Sequence, residues 1–230
     1  MEPSSIPYLD KPNRWSSHSQ IISYLALLQP NTSVLDIGTA TGTIGRMGQS
    51  LGLRLTGVEP NPEWADKARP YYEALEIGTI ETCPEQLLRD KQVIILADVL
   101  EHMPAPEQSL KYLLNLQPAG TRLVISVPNI ANIYIRLSLL MGKFDYTEQG
   151  ILDKTHLKFF TRKTILQMLA KLNLNVENIW PTPIPLEKVS PFFENSILGR
   201  LIYHLLKIAT DIFPTLLGYQ FVITAGKKNP

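Results

Sequence analysis

The stretch Val34 to Gly48, VLDIGTATGTIGRMG, constrains the fold more than any other part of the chain. A β-rich run ends in an acid, Asp36, and drops at once into a glycine-punctuated turn that opens a helix. A second apolar run, Leu53 to Val58, ends in another acid, Glu59, at a spacing that closes one β-α-β unit. Such a unit presents a nucleoside-bearing ligand between two strand ends, with backbone close enough for a small group to lie on the turn. The turn argues against a dinucleotide. Seating a pyrophosphate on helix N–H groups uses G-x-G-x-x-G, and the same offsets here hold Gly38, Ala40 and Thr43. A carboxylate beside the turn repels pyrophosphate and attracts an ammonium group. No G-x-x-x-x-G-K-[ST] run exists, which removes a phosphate-binding NTPase as well.

Strand and helix patterns alternate along most of the chain, the arrangement of a parallel sheet covered on both faces. The pattern predicts strands over 33–37, 53–58, 75–78, 93–97, 122–127, 175–180 and 219–225. It predicts helices over 17–28, 42–50, 62–74, 84–89, from Pro106 onward, and over 130–141 and 162–172. Continuous apolar strands such as VIILA and RLVISV suit burial on both faces. At 230 residues the chain can form one core, so a single domain over 1–230 is expected, led by a segment at 1–30. Two segments exceed a minimal sheet, 129–160 and 184–217, and are expected to cap the site. In the second, Leu198, Leu201, Ile202, Leu205, Ile208, Ala209, Ile212 and Phe213 recur at helical spacing, which predicts a face covering the sheet, a lid or a second copy. Polar interruptions keep it from spanning a bilayer, and only Arg200 and Lys207, opposed by Asp211, would support weak membrane-surface contact through 195–213.

Charge and cysteine content narrow the chemistry. Twenty-two basic and 21 acidic side chains leave a net charge of +1, which gives no field for DNA or bulk RNA. Cys83 is the lone cysteine, so no disulfide framework and no multi-cysteine zinc site is expected, and no metal ligands are assigned. Met1 to Lys11 lacks a secretory pattern, and a cytoplasmic chain is expected. Asn31-Thr32-Ser33 fits a polar turn before the first strand better than a glycosylation acceptor.

The glycine turn, the Glu59 spacing and LADVLEHM at 96–103 together resemble the class I S-adenosylmethionine (SAM) dependent methyltransferases. The likeness extends to Val99-Leu100-Glu101-His102 after the fourth strand, Val127-Pro128-Asn129 after the fifth, and the run from Asp153 to Thr161, DKTHLKFFT. It implies a Rossmann-like seven-stranded sheet, mostly parallel with an antiparallel last strand, and SAM as cofactor. It places Asp36, Gly38 and Glu59 at the cofactor, with Asp98 on its methionine side. Thr39, Ala40, Gly42, Pro60 and Ile80 fall in the same binding segments. At Gly78-Thr79-Ile80-Glu81 relatives often carry an Asp where Thr79 stands, and the Thr79 hydroxyl can accept the adenine amino group without a charge.

The residue chemistry agrees with that likeness. A carboxylate at Asp36 accepts from an ammonium directly or through water, Gly38 lets backbone approach without a Cβ, and Glu59 can accept from both ribose hydroxyls. Methyl transfer needs alignment and removal of a proton, for which His suits a hydroxyl acceptor near neutral pH. His156, with Asp153 three residues earlier to orient it, and His102 are the candidates. The expectation is O-methylation of a small hydroxylated acceptor by a monomer or homodimer. A non-catalytic SAM-binding protein and N- or C-methylation stay open at this point.

Overall fold

The computed structural model describes residues 14–227. Helix α1 (Ser17–Leu25) is capped by the Ser16 hydroxyl, which accepts from the Ser19 N–H. Then follow β1 (Ser33–Ile37), α2 (Thr43–Ser50), β2 (Arg54–Glu59) and α3 (Pro62–Ala68). Asn61 caps α3 by accepting from the Glu63 and Trp64 N–H groups, and Pro62 sits at its first position, where no N–H is missed. After β3 (Ala74–Ile77) come α4 (Glu85–Leu88), β4 (Val93–Ala97), α5 (Pro106–Asn115) and β5 (Arg122–Pro128). The second half holds α6 (Ile133–Leu140), α7 (Arg162–Lys171), β6 (Leu174–Thr182), α8 (Phe192–Asn195), α9 (Ile197–Ile212), α10 (Pro214–Leu217) and β7 (Gln220–Lys227).

The seven strands form one sheet in the order β3-β2-β1-β4-β5-β7-β6. All neighbours among the first five pair parallel, while β7 runs antiparallel to both β5 and β6. This is the Rossmann-like arrangement expected. Strand order reverses between β1 and β4, and a crevice opens at the carboxyl ends of the strands there. Alternation along the strands divides the core. Leu35, Ile37, Ile94, Leu96, Leu123 and Ile125 pack on one face with Leu110 and Leu113 of α5 and Ile165 and Leu169 of α7. Val34, Leu55, Val93, Ile95, Val124 and Val222 pack on the other with Ile21 and Leu25 of α1 and Ile44 of α2.

Several boundaries differ from the sequence expectation, each for a local reason. The helix expected over 62–74 stops at Ala68 and tightens into a 3-10 turn at Arg69–Tyr71, because Pro70 cannot donate the next helical bond. That releases residues 74–77 to form β3. The helix expected from 130 begins at Ile133, since the Asn129 and Asn132 side chains accept from the Ala131 and Tyr134 N–H groups and hold the preceding turn. The leading helix ends at Leu25 rather than 28, and β6 extends to Thr182 with a bulge between Val176 and Asn178.

The apolar stripe of α9 does not cover the sheet. Its buried positions are Gly199, Tyr203 and Thr210, while Leu198, Leu201, Ile202, Leu205, Ile208 and Ile212 face solvent in the single chain. The polar-aromatic face turns inward because Trp15 meets the Tyr203 ring edge-on at 5.0 Å and the Tyr203 hydroxyl donates to Glu187 at 2.8 Å. Among the described residues, no helix is long and apolar enough to cross a membrane.

Candidate active site

A cavity of about 880 Å³ lies at the carboxyl ends of β1, β2 and β4. Its wall includes Gly38, Thr39 and Ala40 of the first turn, Glu59 and Pro60 after β2, Thr79 and Ile80 after β3, and Asp98, His102 and Asp153. Thus most residues singled out in the sequence meet around one space. The insertion at 129–160 supplies Glu148 to Thr155 of the wall, whereas no residue of 184–217 lines it. Of the leading segment, residues 1–13 lie outside the described residues, and His18 lines the cavity.

Glu59 is the best-defined acid of the site. It is buried, and its two carboxylate oxygens accept from the Ala40 N–H at 2.8 Å and the Asn61 N–H at 2.9 Å. Burial pushes its carboxyl above the ordinary range against the lowering by those two backbone donors. Each oxygen keeps acceptor capacity, which suits a vicinal diol. The turn facing it is tight. A Cβ on Gly38 would lie 2.6 Å from Val99 Cγ2, so only glycine allows this approach, and φ of +74° there favours glycine too. Ala40 holds a left-handed φ of 47°. Gly42, at the α2 N-terminus, forms no part of the wall.

Asp36 takes a different place from a wall residue. It shares a strand face with Val34, under α2, and is 1% exposed. The Tyr72 hydroxyl donates to its Oδ2 at 2.5 Å, and Oδ1 has no hydrogen-bond partner. Burial pushes this carboxyl up to about 7, outweighing the Tyr72 bond that lowers it. A buried oxygen left unmet this close to the turn is what a ligand cation, reached directly or through water, would satisfy.

The far end of the cavity carries Thr79 and Glu81. Burial raises the Glu81 carboxyl, yet hydrogen bonds from the Ser109 and Thr79 hydroxyls pull it below its ordinary value. At the near end, Asp98 has a left-handed φ of 56°, and its Oδ1 accepts from the Ser126 hydroxyl at 2.6 Å and the Gln220 amide at 2.8 Å. Strands β5 and β7 therefore aim this carboxylate.

The LEH and DKTH segments are clamped together. The Glu101 carbonyl accepts from the Leu157 and Lys158 N–H groups at 2.8 and 2.9 Å. The clamp brings the His102 and His156 rings edge-to-face at 4.8 Å. His156 Nδ1 lies 3.1 Å from the Ile151 carbonyl, so it donates there and leaves Nε2 as the basic nitrogen. Burial and the nearby His102 hold this imidazole below its ordinary value, hence neutral at pH 7. Asp153 does not make the bond to His156 expected of it. Its Oδ1 accepts from the Thr155 N–H and hydroxyl at 2.8 and 2.6 Å, because the run folds as a turn rather than a helix.

Some wall residues were not singled out in the sequence. His18 lies in the first turn of α1, and Trp64, Ser109 and Tyr112 fall within predicted helices. Trp64 alone had a usable cue, since it follows Glu59 into the first turn of α3.

The profile of a methyltransferase-domain family matches residues 12–179. The chain belongs to that family. This methyltransferase uses SAM as cofactor. Solved structures that share its fold include the following three. Magnesium protoporphyrin IX methyltransferase from Synechocystis PCC 6803, with bound S-adenosylhomocysteine (SAH), is 12% identical, with a TM-score of 0.62 over 92% of this chain and 82% of that one. A SAM-dependent methyltransferase from Archaeoglobus fulgidus is 18% identical, with a TM-score of 0.60 over 91% and 92%. A possible histamine N-methyltransferase from Thermotoga maritima is 19% identical, with a TM-score of 0.59 over 94% and 91%. None of the curated proteins compared matches the methyltransferase in sequence.

Proposed function

We propose that the methyltransferase moves the methyl group of SAM to a hydroxyl oxygen of a small metabolite. The observation that carries this reading is a neutral, buried imidazole, His156, oriented by the Ile151 carbonyl and set behind His102 at the cavity edge. Bound SAM supplies a methyl carbon made electrophilic by its sulfonium. Glu59 holds the ribose, Thr79 and Ile80 the adenine, and Asp36, Gly38 and Asp98 the methionine end. Oxygen acceptors release a proton during transfer, and His156 Nε2 takes it by way of His102, the one of the two that lines the cavity. Asp153 shapes the turn that carries His156 instead of orienting its ring.

His156→Ala is expected to lower kcat by ~10² to 10⁴-fold, the size of a general-base contribution, and to leave SAH affinity unchanged. Because the ring is held below the ordinary histidine value, the acid limb of kcat should fall at a pH below 6.5. A screen of cell extract with methyl-labelled SAM identifies the acceptor first. Wild-type turnover in the variant would move the role to His102.

A further inference from the structure

We propose that Glu101, His102 and His156 form a site for a divalent transition-metal ion of the zinc class, open towards the cavity. Each offers one ligand atom, and the three atoms lie within 4.8 Å of one another. Glu101 is 1% and His156 9% exposed, so the set is enclosed by protein on one side, while His102 lines the cavity on the other. A tetrahedral ion about 2.1 Å from each ligand sets them roughly 3.4 Å apart, so side-chain shifts on the order of an ångström close the set.

The surroundings are those of metal ligands. Metal-binding imidazoles commonly donate their second ring N–H to a carbonyl, which fixes the tautomer. Here His156 Nδ1 faces the Ile151 carbonyl at 3.1 Å, and His102 Nδ1 faces the Thr155 carbonyl and hydroxyl at 3.3 and 3.1 Å. Both rings are thereby left with a basic Nε2. Asp98 and Asp153 add negative charge at the cavity wall nearby, and Lys154 of the same turn is paired with Glu148 at 2.6 Å. Two imidazoles and one carboxylate favour zinc-class ions over magnesium or calcium, which prefer oxygen ligands. Three protein ligands leave a fourth position for an acceptor oxygen.

This rests on the oxygen acceptor of the proposed function and gives His156 a different role, since a ring nitrogen bound to the ion cannot take the proton. A hydroxyl on the ion would lose its proton to cavity water, the O–H electron pair staying on oxygen, so the ion rather than His156 would make the nucleophile. The binding itself is independent of that step and is tested alone. The full chain, stripped with a chelator, is titrated with Co²⁺ followed by visible absorption, then with Zn²⁺ as competitor. The expected result is one saturable equivalent in the micromolar range or tighter. In Glu101→Gln and His156→Ala, each checked for unchanged SAH binding, affinity should fall by at least ~10-fold. No saturable binding, or binding equally tight in both variants, overturns the site. Full turnover of the wild-type chain in excess chelator, together with loss of turnover in His156→Ala, would overturn the ion's role while leaving the general-base reading standing.

Discussion

At the scale of single residues, the two strand-end acids have opposite fates. Glu59 is anchored by the Ala40 and Asn61 N–H groups with capacity facing the cavity, so Glu59→Ala should weaken SAH binding by roughly 2 to 3 kcal/mol, read by calorimetry. Unchanged affinity would remove Glu59 from the ribose. Asp36 is held away from the wall by Tyr72, and its raised carboxyl makes stability depend on pH. Its folded-state value is about 7 against an ordinary 3.8, so the folded chain keeps a proton that the unfolded chain loses between those values. The stabilising contribution is whole below the ordinary value and fades as pH rises through about 7. A tenfold change in proton affinity is worth ~1.4 kcal/mol, and a lost charge-assisted bond to Tyr72 offsets part of the total. Ligand-free Asp36→Asn should therefore be more stable than wild type at pH 8 by roughly 1 to 3 kcal/mol, with the gap closing at acid pH. Urea unfolding at the two pH values measures this, and SAH affinity should fall in the same variant. A constant gap would mean that Asp36 is ionised in the folded chain at every pH tested.

At the scale of elements, packing overrides propensity where two segments touch. Gly199 sits in the first turn of α9, where alanine would ordinarily gain about 1 kcal/mol. A Cβ there would lie 2.1 Å from the Phe192 carbonyl oxygen of α8, which is backbone and cannot rotate away. Overpacking of that kind costs about 1 to 3 kcal/mol, so Gly199→Ala should lower the melting temperature, and a rise would show that α8 is free to move off α9. The same competition explains what was legible in the sequence. The five inner strands were readable because their apolar runs are buried on both faces, β3 and β6 are partly exposed edge strands, and the β1 turn was readable because glycine, alanine and acids there have few other uses. Of the alternatives for the α9 stripe, only covering the sheet is excluded, because helical spacing reports a stripe and not which way it points, and Trp15 and Tyr203 turn the opposite face inward. Pairing of His102 with His156 was invisible for a related reason. It arises from the Glu101 carbonyl gripping the backbone at 157–158, a contact between segments more than fifty residues apart.

At the scale of the whole molecule, the cavity bridges the two halves of the sheet. Glu59 and Thr79 belong to the β3-β2-β1 side, whereas Asp98 and His102 follow β4, and Asp98 is tied onward to β5 and β7 through Ser126 and Gln220. A ligand touching both sides couples their opening, so it binds the folded chain and not separated halves. At a free concentration about 100-fold above its dissociation constant, SAH should add ~2.7 kcal/mol to the unfolding free energy. For a chain of this length that is a rise in melting temperature of roughly 5 to 10 °C. Glu59→Ala should lose most of that rise, measured from its own ligand-free melting point, at the same SAH concentration. If SAH instead split the transition in two, raising one part alone, the ligand would be held by one side of the sheet, and Asp98 would have no share in binding it.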